Sequence, residues 1–363
     1  LGDKISMQKA VQAIQSTTGE KRQELDDLSF QEWLEINGQS ERAILRFWNP
    51  ISKLALNVDS SKSSAASAIF LFRKALLGKA NALDVGCFTN DFSSAVSSSL
   101  RRTLAASGVE VHLSSSATSL FREAGVVTGV KTREAFFAAD RVIICTPIAE
   151  TARLLTGSSA SIKSHEVAEN LAKLGNTSQI GIHAFHEGPI LPEGIPFVTC
   201  CDEPMIQMLF DRSGELDDGN RDGLPGHWIC TPVSHADDYL HWDDELIQTE
   251  YERVIGSAFP NSPALLEFHV VRKNRASTSM TTGSQRLRPS PIDAGQGVIL
   301  GGDWIDIEWP SSLEGETRAG LVAAATLLRE IGASEFEDWH HDEKWPDWPN
   351  PAFEEDYNWR IWK

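Results

Sequence analysis

The sequence predicts a mixed α/β (α+β) protein: a Rossmann-like nucleotide-binding sheet, assembled from separate stretches of chain, that carries a second sheet domain. Three observations predict it. The apolar run Val298-Ile-Leu reads as a buried strand, followed by Gly-Gly-Asp and a small-residue helix from Thr317 to Leu328. Upstream, the alternating residues Gly108 to Leu113, a ribbon over 125–130 and 135–137, and the apolar stretch Arg141 to Cys145 give the order strand, ribbon, strand. Between these regions, Ile180-Gly-Ile-His-Ala-Phe, Ile206-Gln-Met-Leu-Phe and His227-Trp-Ile-Cys-Thr-Pro-Val read as strands of a different sheet.

Taken along the chain, residues 1–82 form a helical segment, with helical apolar spacing over 30–36 and 43–56 and a small-residue linker or helix start at 60–68. Residues 83–175 supply the first part of the nucleotide-binding domain, including a helix from Phe92 to Ala106. Residues 176–271 form the second sheet domain, with an amphipathic helix from Trp242 to Ala258. Residues 272–332 return to the nucleotide-binding domain. The tail, 333–363, sets Trp339, Trp345, Trp348, Trp359 and Trp362 among acids and prolines. Prolines argue against a helix there, and the tryptophans against a purely solvated tail.

Composition narrows the function. At 363 residues the chain has room for about two domains, and 41% hydrophobic with 23% charged residues is that of a globular protein. A net charge of -18 argues against nucleic acid, whose phosphates would be repelled. No run approaches the ~20 apolar residues of a membrane span, so the expected location is cytoplasmic, with an apolar patch able to bring the chain to the inner membrane face. Oligomeric state is not legible.

Five cysteines without a Cys-x-x-Cys spacing fit reduced thiols, and Cys145 is expected in the core. His183 and His186 would face opposite sides of a strand, and neither they nor His340 and His341 belong to a ligand set, so no metal is expected. Gly-x-Ser-x-Gly, Walker-type and His-Glu-x-x-His motifs are absent.

The turn after Leu300 carries the chemistry. Asp303 would accept a hydroxyl at the end of an apolar strand, and the N–H groups at Leu313 and Glu314, at a helix start, would face a negative group. Gly302 and its neighbours would let backbone approach a ligand closely. An ordinary strand and helix packed in a core remains an equal reading of these residues alone.

The run Gly301-Gly-Asp-Trp-Ile-Asp-Ile-Glu-Trp-Pro-Ser-Ser-Leu-Glu-Gly-Glu-Thr-Arg-Ala-Gly320 resembles the C-terminal flavin-binding motif of the amine oxidase and phytoene desaturase superfamily. Within it, the run is most similar to the squalene-associated branch, the hydroxysqualene dehydroxylases. Phe30-Gln-Glu-Trp-Leu, Phe47-Trp-Asn-Pro-Ile, Arg272-Lys-Asn-Arg-Ala-Ser and Arg286-Leu-Arg-Pro289 extend the similarity, in order, over roughly residues 28 to 330.

The resemblance implies a two-domain, FAD-binding, amine oxidase-type flavoprotein. It implies cofactor contacts at Ala117, Thr146, Pro147, Gly302, Asp303, Leu313 and Glu314. It also implies a hydrophobic polyprenoid substrate, reductive removal of the hydroxyl of hydroxysqualene, and a hydrocarbon tunnel to which Phe185, Met208, Phe210 and Trp228 would contribute. Trp304 and Trp309 are the expected apolar surface beside the reacting carbon, and Asp306 and Glu308 the candidate acids. A carotenoid desaturase, an amine oxidase and a non-enzymatic lipid-binding module are the alternatives.

One departure matters. The Gly-x-Gly-x-x-Gly unit that opens such flavoproteins is absent, and Gly295-Gln-Gly297 precedes a strand where that unit would follow one. The first cofactor-binding unit is therefore expected to be missing, as in a fragment of a longer product or a truncated relative.

Overall fold

The chain opens with helices, three of them capped by a serine that accepts an N–H of the first turn: Ser29, Ser40 and Ser64. A computed structural model describes residues 2–78, 85–88, 92–157, 160–213, 226–340 and 359–362. Its head contains α1 (Gly2–Ser16), α2 (Gly19–Gln23), α3 (Phe30–Ile36), α4 (Glu41–Ala43), α5 (Asn49–Leu56) and α6 (Ala65–Leu71), with wide π-type turns at Ile44–Trp48 and Phe72–Leu76. A capping box opens α3: the Ser29 hydroxyl accepts the Glu32 N–H, and the Glu32 carboxylate accepts the Ser29 N–H. Asn57 ends α5 in the left-handed conformation, φ 54°. The fully buried rings of Phe30 and Trp48 meet edge to face at 6.1 Å and anchor this helical core.

The middle of the chain alternates between sheet and helix. In order come β1 (Val85–Phe88), α7 (Ser98–Ala106), β2 (Ser119–Glu123), β3 (Val126–Lys131), β4 (Phe136–Ala138), β5 (Val142–Ile144), α8 (Ile148–Leu155) and α9 (Ile162–Leu174). β3 and β4 form the antiparallel ribbon that the sequence predicts, and β2, which it does not predict, adds a third strand beside β3. The expected strand from Gly108 to Leu113 does not form. Those residues are all exposed and have no partner strand among the described residues, so their alternation stabilises nothing.

A five-stranded antiparallel sheet follows, in the order β10 (Leu265–Thr278), β6 (Asn176–His186), β9 (His227–Ser234), β8 (Met208–Asp211) and β7 (Phe197–Thr199). On one face, Ile180, Ile182 and Ala184 are fully buried with Ile247, Tyr251 and Val254 of α10 (Asp244–Ala258). Burying each such aliphatic side chain contributes roughly 1.5–3 kcal/mol. The 14-residue β10 passes through position 271 without a break.

β11 (Val298–Leu300) pairs in parallel with β5, Leu300 opposite Ile144, and all three of its residues are buried. α11 (Leu313–Glu330) begins at Leu313, where the sequence reading puts a helix start, and runs on through the small-residue stretch 317–328; Ser312 caps it by accepting the Gly315 N–H at 3.1 Å. In the tail, Trp339 is buried beside Phe336 against the end of α11, and β12 (Trp359–Trp362) pairs antiparallel with β1. Trp345, Trp348 and His341 lie outside the described residues.

Candidate functional site

The carboxyl ends of β5 and β11 open into a cavity of about 380 Å³. Ligands of open α/β sheets bind in this position, beyond the strand ends. Thr146 and Pro147 enter the wall from the end of β5, Gly301 to Trp304 from the end of β11, Ser311 from the turn, and Glu316 and Gly320 from one face of α11. Arg275 to Thr278 of β10 close the far side.

Two glycines of this wall play different parts. A Cβ on Gly301 would lie 2.8 Å from both Cys145 Sγ and Ala323 Cβ, so only glycine lets α11 approach the strand. A Cβ on Gly320 would meet nothing within 4 Å, because that position faces open space along the cavity wall. Cys145, expected in the core, is instead exposed on the cavity wall: β5 buries only Ile144 fully. Partial burial still pushes its thiol up, away from the reactive thiolate.

Asp303 is the centre of the site. Its carboxylate accepts the Thr278 hydroxyl at 3.3 Å and the Ser311 hydroxyl on the other oxygen. Glu316 stands nearby, its carboxyl raised by burial and then by the charge of Asp303. Arg275 is the cation of the wall, paired loosely with Glu150 at 3.8 Å. The cavity thus offers hydroxyls, carboxylates, one guanidinium and apolar strand ends.

Thr146, Pro147, Gly302, Asp303 and Trp304, all singled out from sequence, meet at this one cavity. Leu313 and Glu314 lie in the exposed first turn of α11, beyond its wall. Ala117 also lies outside it, and its carbonyl accepts Arg153 at 2.7 Å. Trp304 is buried in the core, with one edge on the cavity. Trp309 packs elsewhere, edge to face on Phe70 at 5.3 Å and under the Arg318 guanidinium at 4.5 Å.

Asp306 and Glu308 belong to a second cavity of about 290 Å³, shared with Arg22, Asp26 and Arg286. Glu308 forms an ion pair with the buried Arg22. Burial raises the Asp306 carboxyl despite the neighbouring Arg288 and Arg22. Sequence reasoning overlooked Arg275, Thr278, Ser311 and Glu316. All four lie inside segments that carry the family resemblance, without a role read for any of them, and Glu316 also shares a helix face with Gly320.

The far face of the five-stranded sheet gathers aromatic side chains. Phe185 stacks on Trp228 at 6.1 Å, His183 lies 5.6 Å from the same indole, Arg212 sits over it at 5.3 Å, and Phe197 meets Phe210 at 5.6 Å. Met208 and Phe210 of β8 lie in the same sheet. His186 turns to the opposite face and bonds Tyr251 at 2.9 Å, as strand alternation requires. Among the described residues no group of His, Cys, Asp and Glu could hold a metal ion, and no helix is long and apolar enough to cross a membrane.

Residues 4–328 match the family described as flavin containing amine oxidoreductase. Hydroxysqualene dehydroxylase of Rhodopseudomonas palustris is 25% identical over 283 residues, 77% of this chain and 61% of that protein. The Sinorhizobium fredii protein of the same name is 24% identical over 297 residues, 81% of this chain and 64% of its own length. The chain therefore spans about three fifths of the curated relatives it matches. Among solved structures, a cofactor-binding redesign of putrescine oxidase superposes with a TM-score of 0.69 at 16% identity, covering 90% of this chain and 76% of the other. Cyclohexylamine oxidase from Brevibacterium oxydans gives 0.62 at 14%, covering 90% and 74%. These two likenesses show that the fold is the amine oxidase type.

Proposed function

Because the chain belongs to the flavin containing amine oxidoreductase family, we propose that it is part of an FAD-dependent oxidoreductase acting on a long polyprenoid, with reductive dehydroxylation of hydroxysqualene to squalene as its reaction. The cavity at the ends of β5 and β11 carries this reading: Thr146, Pro147, Gly302, Asp303 and Gly320 converge there. The residues fit the group. Asp303 would accept a ribityl hydroxyl, and the bare backbone at Gly320 leaves room for a flat, closely approaching ligand.

When bound, reduced FAD supplies the hydride that replaces the departing hydroxyl. The protein binds the hydrocarbon, excludes water and assists departure of the hydroxyl oxygen. The Phe185, Phe210 and Trp228 face of the sheet suits the hydrocarbon. The two dehydroxylase relatives favour this substrate over a carotenoid or an amine.

Titration of FAD into the purified chain, followed by flavin fluorescence, tests the cofactor assignment. Binding that weakens about tenfold or more in Asp303→Ala is expected, from loss of a charge-assisted hydrogen bond. Conversion of hydroxysqualene to squalene by the reduced, FAD-loaded protein tests the reaction. Failure of FAD to bind would sink the proposal, and binding without conversion would leave only its cofactor part.

A further inference from the structure

One buried side chain outside the cavity grips the turn that carries Asp303. Arg288 is 5% exposed, and its two terminal nitrogens reach backbone carbonyls six residues apart. Nη2 donates to the Asp303 carbonyl, and Nη1 and Nη2 both donate to the Trp309 carbonyl at 3.0 Å. Across the same turn the Ser311 hydroxyl donates to the Asp303 carboxylate, so Arg288 holds the backbone where Ser311 holds the side chain. The loop residue next to Arg288 also holds the turn, with the Asp306 N–H donating to the Pro289 carbonyl at 2.9 Å.

A guanidinium suits this task because it presents several donors in one rigid plane, where an ammonium offers a single point. Burying it is costly. Burial lowers Arg288 to about 10, while Asp306, Asp303 and Asp26 act in the opposite direction and offset part of that cost. A hydrophobic residue would fill the same volume without that cost, so its retention calls for a local reason. The two gripped carbonyls supply one.

We infer that Arg288 is a positioning residue: by clamping the Asp303 and Trp309 carbonyls it fixes the backbone from which the Asp303 side chain projects. The Asp303 carboxylate then sits between the Thr278 and Ser311 hydroxyls and faces the cavity. Arg22 reinforces the clamp from the helical head through Glu308, which holds the left-handed conformation at φ 64°. Its consequence for FAD rests on the proposed function. The geometric clamp does not.

Amide hydrogen exchange on the chain as it exists tests the clamp without flavin. In Arg288→Met the amides of 304–309 are expected to exchange about tenfold faster or more, while β6 and β9 keep their protection. Arg288→Lys, which keeps charge and bulk, should give an intermediate acceleration and serves as the decisive variant should Arg288→Met not fold. Unchanged protection at 304–309, or a uniform rise that includes β6, would overturn the inference.

A double-mutant cycle on FAD affinity adds a readout that general destabilisation does not move. Arg288→Lys should weaken FAD about tenfold in the native background and less than about twofold beside Asp303→Asn. Additive losses would show that Arg288 does not act through Asp303. A chain that takes up no FAD overturns the proposed function alone, and the exchange experiment still decides the role of Arg288.

Discussion

The Trp304 indole N–H donates to the Thr146 carbonyl at 3.0 Å, joining the turn after β11 to the turn after β5. Both residues line the cavity, and Trp304 is among the largest fully buried side chains among the described residues. A residue that sequence similarity assigns to the substrate surface thus also ties together the two strand ends that form the site.

Trp304→Phe should therefore destabilise the fold through the lost bond and the lost volume together. We expect a loss of roughly 1–3 kcal/mol, against about 3–5 kcal/mol for Trp304→Ala. Urea unfolding measures both. A Trp304→Phe protein as stable as the native one would mean that the Thr146 carbonyl finds another donor.

Two glycines of the same wall predict opposite outcomes. Gly302 touches the Trp304 indole so closely that a Cβ would lie 2.1 Å from its nitrogen, whereas Gly320 faces open space. Gly320→Ala should stabilise α11 by about 0.5–1 kcal/mol, through reduced entropy of the unfolded chain and better helix propensity. Gly302→Ala should destabilise. Gly320→Leu should keep the melting temperature while abolishing FAD uptake, because its side chain would occupy the cavity. Thermal unfolding and FAD titration on the three variants separate these effects.

How much was legible follows from what each signal depends on. Val298-Ile-Leu was readable as an unbroken apolar run because all three residues are buried, and the 125–137 ribbon and the strands at 180 and 227 because burial of one face imposes a short local period. Gly108 to Leu113 has the same alternation and forms no strand, because alternation marks a strand only when a partner covers it. The start of helix α11 at Leu313 and Glu314 was legible from the polar turn before it, and its small-residue body from Thr317 onward. Within the site, Asp303 and Gly302 belonged to one continuous motif. Arg275, Thr278 and Arg288 come from segments whose approach to Asp303 depends on the path of β10 and of the loop before β11, and no local spacing encodes that.

On the sheet, the two faces should respond differently to mutation. Tyr251→Phe removes the hydroxyl bonded to the buried His186 and leaves that imidazole nitrogen without its partner. It should cost about 1–3 kcal/mol and leave substrate affinity unchanged. Trp228→Ala lies on the aromatic face with Phe185 and Arg212. It should weaken binding of the proposed apolar substrate more than it lowers stability, read as a rise in KM larger than any fall in melting temperature accounts for.

The junction between the helical head and the sheet makes stability fall in acid. Asn57 donates to the Thr177 hydroxyl at 2.9 Å and to the Ser178 carbonyl at 3.1 Å, and it accepts the His235 N–H at 2.8 Å. Beside it, Asp59 bonds His235 Nδ1 at 2.6 Å and pairs with Lys53 at 3.1 Å. Burial alone would raise the Asp59 carboxyl, but the bond from His235 and the charge of Lys53 outweigh it and bring the carboxyl from 3.8 down to about 2. A depressed folded value means that the unfolded chain takes up the proton first as pH falls. The contribution of Asp59 is then complete above about pH 5 and disappears as pH drops through 4 towards 2, to a total of about 2 kcal/mol. Asp59→Asn should be less stable than the native protein at pH 7 by about that amount, and the two stability curves should converge near pH 2. Parallel curves from pH 6 to pH 2 would place the acid sensitivity in other carboxylates and leave Asn57 as the main tie between head and sheet.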